Sequence, residues 1–100
     1  MKQFKERSEV SLHLLKVYKF IKDLNGKWTT NKEVAKHVGF SLRTVSAHTL
    51  HLVNAGIINQ AEVFPEHRFQ YSEVSNKRNK TFHDRIEKAI EIFVESGQLS

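Results

Sequence analysis

Histidine is the side chain in this sequence best suited to bind a metal ion, and it occurs six times. His48 and His51 are three residues apart, a spacing that lets two imidazoles on one helix chelate a cation. No cysteine or acidic residue lies near them in the sequence, and the other histidines are scattered: His13, His37, His67 and His83. We therefore expect no metal site, and we interpret the histidines as solvated or phosphate-contacting groups that gain charge below about pH 6.5.

Catalytic chemistry has less support in the sequence. There is no Gly-rich phosphate loop, no nucleophile motif and no isolated carboxylate pair in an apolar setting. Acidic and basic residues alternate at helical spacings near the C-terminus, which is typical of a solvated surface: Asp84, Arg85, Glu87, Lys88, Glu91 and Glu95. We predict that the chain is not an enzyme and that it uses no cofactor.

The charge is unevenly distributed along the chain. A length of 100 residues predicts a single domain, 1–100, with a formal net charge of +5. Residues 1–50 carry 10 basic and 4 acidic side chains, whereas residues 51–100 carry 6 and 7. A basic half beside an acidic remainder predicts one surface that binds a polyanion and a second surface with another role.

The absence of cysteine excludes disulfides, thiolate nucleophiles and cysteine-type zinc sites. It also fits a protein of a reducing, intracellular environment. The most apolar stretch, from Leu12 to Ile21, is interrupted by His13, Lys16 and Lys19. Such a stretch is neither a signal-peptide core nor a transmembrane helix. We therefore expect a small soluble cytoplasmic protein with no membrane partner.

Apolar residues recurring at intervals of three and four predict helices over residues 8–25, 30–38, 41–55 and 81–96. The predicted N-caps are Ser8 or Ser11, Thr30, Ser41 and Thr81. Beyond Gly56 the pattern alternates, which predicts a β-hairpin over residues 57–72 with a three-residue loop. A short extended stretch, Lys27 to Thr30, could pair with these strands. The predicted fold is mainly α with a small β-hairpin and an added C-terminal helix.

This order of elements resembles the winged helix-turn-helix family, most closely the ArsR-like and MarR-like bacterial regulators. The matching residues are Val34-Ala35, Val38-Gly39-Phe40-Ser41, Thr44-Val45-Ser46, His48, Leu52 and Ala55-Gly56-Ile57-Ile58. Beyond them the hairpin stands where the family has its wing. The resemblance implies that the third helix is a recognition helix that binds double-stranded DNA in the major groove.

The residues of the third helix can be tested against that implication. With Val45 at the centre of the buried face and 100° per residue, Arg43, Ala47, Leu50 and Asn54 point outward. Arg43 is placed to contact a base edge such as that of guanine. The predicted DNA-binding residues are Thr30, Asn31, Lys32, Ser41, Arg43, Thr44, Ser46, Ala47, His48, His51 and, for the minor groove, Arg68.

Three features depart from the family pattern. Ala47 and Leu50 stand where the family usually has a basic or polar DNA-facing residue, and Thr49 occupies a position that is commonly a core leucine. A small rotation of the helix would turn Leu50 toward the core and Thr49 toward solvent. The wing is poorly basic, because Glu62 and Glu66 surround Arg68.

The last helix has an apolar face large enough to suggest a second role. In the family that the chain resembles, terminal helices form a twofold dimer, so the predicted dimer interface is Phe82, Ile86, Ala89, Ile90 and Phe93. A homodimer would separate two recognition helices by roughly 34 Å, one turn of DNA. The alternative is that the helix packs on Val17 and Phe20 within one subunit.

The sequence therefore predicts a sequence-specific, double-stranded DNA-binding protein, a homodimeric transcriptional regulator that represses by occlusion. The alternative is a protein-interaction module of a replication, recombination or other assembly. Such a module would use Leu50 or the wing and would not contact DNA bases directly.

Overall fold

The structure is a computed structural model that describes residues 11–63, 68–74 and 78–99. Its helices are α1 (Leu12–Lys22), α2 (Asn31–Val38), α3 (Leu42–Asn54) and α4 (Lys80–Glu95). Its strands are β1 (Thr29–Thr30), β2 (Ile58–Val63) and β3 (Arg68–Glu73), and they form an antiparallel sheet in the order β1-β3-β2. The predicted mainly α fold with a β-hairpin and an added C-terminal helix is confirmed.

Side-chain caps begin three of the helices as predicted. The hydroxyls of Ser11, Thr30 and Ser41 accept hydrogen bonds from backbone N–H groups three residues later, at 3.1, 3.2 and 3.1 Å. The predicted cap of the last helix is wrong. Asn79, not Thr81, accepts from the N–H of Phe82 at 3.0 Å, because its side-chain oxygen stands three residues before that group. The alternative cap Ser8 lies outside the described residues.

The sheet contains one strand more than the hairpin. Ile58 pairs with Glu73 and Val63 with Arg68, so the hairpin ends one residue later than predicted. Thr29, in the short stretch expected to pair with later strands, lies opposite Tyr71 and so adds β1 to the sheet. The predicted loop residues Pro65, Glu66 and His67 lie outside the described residues.

The hydrophobic core joins α1, α2, α3, the sheet and the start of α4. α1 contributes more buried side chains to this core than any other helix. Its apolar residues recur every three or four positions, so five of them lie on the buried face: Leu14, Leu15, Val17, Tyr18 and Ile21. Val34 of α2 and Val45 and Leu52 of α3 complete the three-helix part of the core. Gly39 closes α2 with φ of +81°, a left-handed conformation that glycine adopts without strain.

The last helix packs against this core in the same subunit. Phe82 is 7% exposed and Ile86 is fully buried, while Ala89, Ile90 and Phe93 are partly buried against the core. Phe82 and Ile86 are therefore unavailable to a second subunit, and the predicted dimer interface narrows to the last two turns of α4. The reason is that both side chains belong to the core of the same subunit, where the ring of Phe82 stacks on that of His51 in α3.

The segment after α4 folds back onto the protein. Beyond Gly97, the N–H groups of Gln98 and Leu99 both donate to the carbonyl of Phe93, at 2.9 and 3.2 Å. This turn places Leu99 in the core with only 7% of its surface exposed. Among the residues in the described ranges, no helix is long and apolar enough to cross a membrane.

A polar cluster ties α1, β3 and α4 together. The buried hydroxyl of Tyr18 lies 2.9 Å from a carboxylate oxygen of Glu73 and 3.0 Å from one of Glu87, and its single proton is donated to one or the other. Lys22 donates to both oxygens of Glu87 at 3.0 Å. Burial, together with the two carboxylates, raises the pKa of Tyr18 far above its ordinary value of 10.0. Tyr18 therefore stays protonated and acts as a structural donor.

Candidate nucleic-acid interface

α3 presents one side to the core and the opposite side to solvent. Val45, Thr49 and Leu52 are fully buried, whereas Leu50 is 53% exposed. Arg43, Ala47 and Asn54 are exposed on the same side as Leu50. The orientation predicted with Val45 at the centre of the buried face is therefore observed, and the rotated alternative with Leu50 inward is wrong.

Buried hydrogen bonds explain why a threonine occupies a core position of α3. The hydroxyl of Thr49 donates to Oδ1 of Asn31 at 2.8 Å and lies 3.1 and 3.2 Å from the carbonyls of Val45 and Ser46. A buried hydroxyl needs such a partner, since leaving it without one costs about 1–3 kcal/mol. Thr49 therefore stabilises the contact between the start of α2 and the middle of α3.

The same contact involves two residues predicted to bind DNA. The side-chain amide of Asn31 donates to the hydroxyl of Ser46 at 3.2 Å, and its oxygen accepts from Thr49. Asn31 and Ser46 thus bridge α2 and α3, a role that the sequence analysis missed. A polar residue in the buried stripe of α3 was the available signal, because it requires a partner from a neighbouring element.

The N-terminus of α3 brings together three more of the predicted residues. The hydroxyl of Ser41 accepts from the N–H of Thr44 and donates to the Thr44 hydroxyl at 2.9 Å. Arg43 lies between them in sequence and is exposed. Backbone N–H groups and a cation therefore occupy the end of the helix that carries partial positive charge, an arrangement that favours an anion.

Basic side chains extend this positive surface along α2. Lys27, Lys32 and Lys36 are exposed, and Glu33 is the one acidic residue between Lys27 and Arg43. The carboxylate of Glu33 accepts a hydrogen bond from the hydroxyl of Thr29 at 2.8 Å. Four cations against one carboxylate give residues 27–43 an excess of positive charge that suits phosphate groups.

Histidines of α1 and α3 contact neighbouring aromatic rings. His51 stacks on Phe82 with a centroid distance of 5.4 Å, and His13 lies 4.6 Å from Phe40. Burial lowers the pKa of His48 below its ordinary value of 6.5, and the nearby His13 and His51 lower it further. Within the described residues no three histidine, cysteine or acidic side chains converge in a way that could hold a metal ion.

The wing is represented by its strands. Arg68 begins β3 and its backbone pairs with Val63, while the position of its side chain lies outside the described part of the structure. Glu62, which precedes Val63 on β2, is exposed.

A family comparison matches this arrangement. Residues 12–59 match the family model described as winged helix-turn-helix DNA-binding. The match extends from the first residue of α1 to the second residue of β2, so it includes the whole helix-turn-helix and the start of the wing. Residues 12–59 belong to the winged helix-turn-helix family. The recognition helix of that family corresponds to α3, and the hairpin of β2 and β3 corresponds to its wing.

Two other comparisons add less. A solved structure of a Lactococcus lactis ZitR mutant in its apo form is similar to the chain, with 19% identity and a TM-score of 0.48. The similarity covers 96% of this chain and 71% of that one, and at this level it supports no argument about function. A search of curated proteins finds no match.

Proposed function

We propose that this protein binds double-stranded DNA sequence-specifically, with α3 in the major groove, and that it represses transcription by occluding its site. The observation that carries the proposal is the outward side of α3. Its exposed Arg43 is held on a helix whose opposite side is anchored by buried Val45, Thr49 and Leu52. Membership of residues 12–59 in a DNA-binding family supports the proposal.

The predicted polar and charged residues have different roles in this proposal. Arg43 contacts a guanine edge, where its planar fork matches two acceptors. Phosphates bind the positive N-termini of α2 and α3 through the caps Thr30 and Ser41, the cation Lys32 and the hydroxyl of Thr44. His48 and His51 flank the groove, and Arg68 enters the minor groove from the wing. Asn31 and Ser46 orient α2 against α3, and their contact with DNA stays a prediction.

The proposed homodimer uses the last turns of α4. Ala89, Ile90 and Phe93 are partly buried, and beside them Ile92 is 58% and Val94 45% exposed. Apolar groups clustered at one end of a surface helix favour burial against a second copy. A twofold pair would separate the two α3 helices by roughly 34 Å and recognise a near-palindrome.

Binding to a labelled duplex of arbitrary sequence tests the DNA proposal. Fluorescence anisotropy is recorded from about 50 to about 200 mM salt for the wild type and for Arg43→Ala. With about four phosphate contacts, the affinity of the wild type should fall on the order of 100-fold across this range. Arg43→Ala should bind more weakly than the wild type at each salt concentration. Lys88→Ala, which removes an exposed charge from α4, is the matched control and should bind like the wild type.

The oligomeric state is tested separately by light scattering on the eluted protein. The wild type should have the mass of a dimer, and Ile92→Glu, which places a charge on an exposed position, should have that of a monomer. A wild type that stays monomeric at about 100 μM, far above the Kd of a stable dimer, would refute the homodimer.

One observation favours the alternative of a protein-interaction module. Leu50 and Leu42 are both more than half exposed on α3, where polar groups are usual for DNA contact. A module that binds only protein would show no salt-sensitive retention on heparin or duplex DNA. Absence of such binding even at low salt would therefore replace the DNA proposal with this alternative.

A further inference from the structure

The side of α3 that faces away from the core is mostly uncharged. It carries Arg43, Ala47, Leu50 and Asn54, of which only the arginine is charged and two are apolar. Leu50 exposes 53% of its surface to water. Exposing a leucine at the centre of a binding surface loses the free energy of its burial, so the ligand should offer an apolar group at that place.

The chemistry of the major groove supplies one such group. Base edges there present hydrogen-bond donors and acceptors, and thymine alone of the four bases adds a methyl group, on C5. Alanine and other small apolar side chains contact this methyl in protein–DNA complexes. An apolar pair beside an arginine therefore complements thymine next to guanine.

The spacing of these side chains fits successive base pairs. Arg43 and Leu50 are seven residues apart, so their directions on the helix differ by only about 20°, and Ala47 is within about 40° of Arg43. Seven residues advance about 10 Å along the helix axis. That length covers about three steps of DNA at about 3.4 Å per base pair.

We propose that Ala47 and Leu50 are specificity-determining residues that contact the C5-methyl groups of two thymines, within about four base pairs of the guanine bound by Arg43. This inference rests on the proposed DNA binding and adds the bases that α3 prefers. The cations Lys27, Lys32 and Lys36 bind the flanking phosphates, which leaves the apolar pair to distinguish thymine from cytosine.

The test begins with selection of the preferred site of the full-length protein from a random duplex library. Each thymine of that site is then replaced, one at a time, by deoxyuridine, which lacks only the C5-methyl group. Loss of one buried methyl should weaken wild-type binding about fourfold at one or two positions. Replacements elsewhere in the site should leave the affinity unchanged.

Variants assign the methyl contacts to residues. Leu50→Ala should lose the preference for thymine over deoxyuridine at one position and bind the substituted duplex as the wild type does. Leu42→Ala is the matched control, because Leu42 is equally exposed at 54% on the same helix but lies about 80° from Leu50 around its axis. It should retain the full preference. Circular dichroism melting verifies that both variants fold.

Several results would overturn the inference. They are a selected site with no thymine, deoxyuridine substitutions that never change affinity, a preference that persists in Leu50→Ala, and salt-sensitive binding without any preferred site. In these cases DNA binding itself stands. Absence of duplex binding at low salt would instead remove the proposed function and this inference with it.

Discussion

Removing the hydroxyl of Tyr18 tests whether the polar cluster holds α1, β3 and α4 together. The ring is fully buried and Tyr18→Phe retains it, so the substitution removes one oxygen and little packing. That oxygen lies 2.9 Å from Glu73 and 3.0 Å from Glu87. A hydrogen bond to a charged group contributes about 1.5–3 kcal/mol, so the free energy of unfolding should fall by about 2 kcal/mol.

The pH dependence of this loss follows from Glu87. Burial alone would raise its pKa, but hydrogen bonds from Lys22 and Tyr18 outweigh burial, with His83 nearby at 3.4 Å, and lower it from 4.5. A carboxyl whose pKa is lower in the folded state stabilises the fold above pH 4.5, and this stability is lost as the pH falls through the folded value. Tyr18→Phe removes one cause of the lowering, so the difference from wild type should be largest near neutral pH and shrink in acid.

Urea unfolding followed by circular dichroism between about pH 3.5 and pH 7 measures both effects, with an unchanged m-value indicating two-state behaviour. Tyr71→Phe is the control, because Tyr71 is also a buried tyrosine but its hydroxyl makes no hydrogen bond within the described residues. It should change stability by less than about 0.5 kcal/mol. Equal losses in the two variants, or a Tyr18→Phe loss that is constant with pH, would refute the reasoning.

Three further substitutions have defined outcomes. Thr49→Val removes the donor to Asn31 and should cost about 1–1.5 kcal/mol in thermal unfolding, whereas an unchanged melting temperature would show that the bond is dispensable. Gly56→Ala should lower the free energy of unfolding by about 1–2 kcal/mol or more, because Gly56 has φ of +76° and a Cβ there would lie 2.9 Å from Cβ of Arg78. A urea unfolding midpoint equal to that of the wild type would contradict this. The lowered pKa of His48 makes the folded state lose stability as the pH falls below 6.5, so His48→Gln should lose less stability than the wild type between about pH 7 and pH 5. Denaturant titration at each pH measures this difference, and equal losses in the two proteins would count against it.

The local features of the fold were predictable from the sequence. Ser11, Thr30 and Ser41 cap their helices through contacts spanning three residues, and Gly39 ends α2 in the left-handed conformation. The outward orientation of Leu50 followed from helical periodicity. Such signals are visible in sequence because the interacting groups are separated by at most one turn of helix.

The contacts between elements were missed or left open for the opposite reason. Thr49 meets Asn31 across 18 residues, and Tyr18 meets Glu73 and Glu87 across 55 and 69. Whether such groups meet depends on how helices and strands pack. The residue type shows only that a buried polar group needs a partner, and does not show which group that partner is. Likewise, only the structure showed that the ring of Phe20 lies 4.4 Å from that of His37.

The sequence by itself therefore determined the helices, the caps of the first three, the turn between α2 and α3, and the surface that α3 turns to solvent. Tertiary structure alone decided which apolar groups of α4 remain exposed: the core covers Phe82 and Ile86, while Ile92 and Val94 stay accessible. An amphipathic pattern states that a helix face must be buried, whereas the surface that buries it is set by the packing of elements distant in the chain.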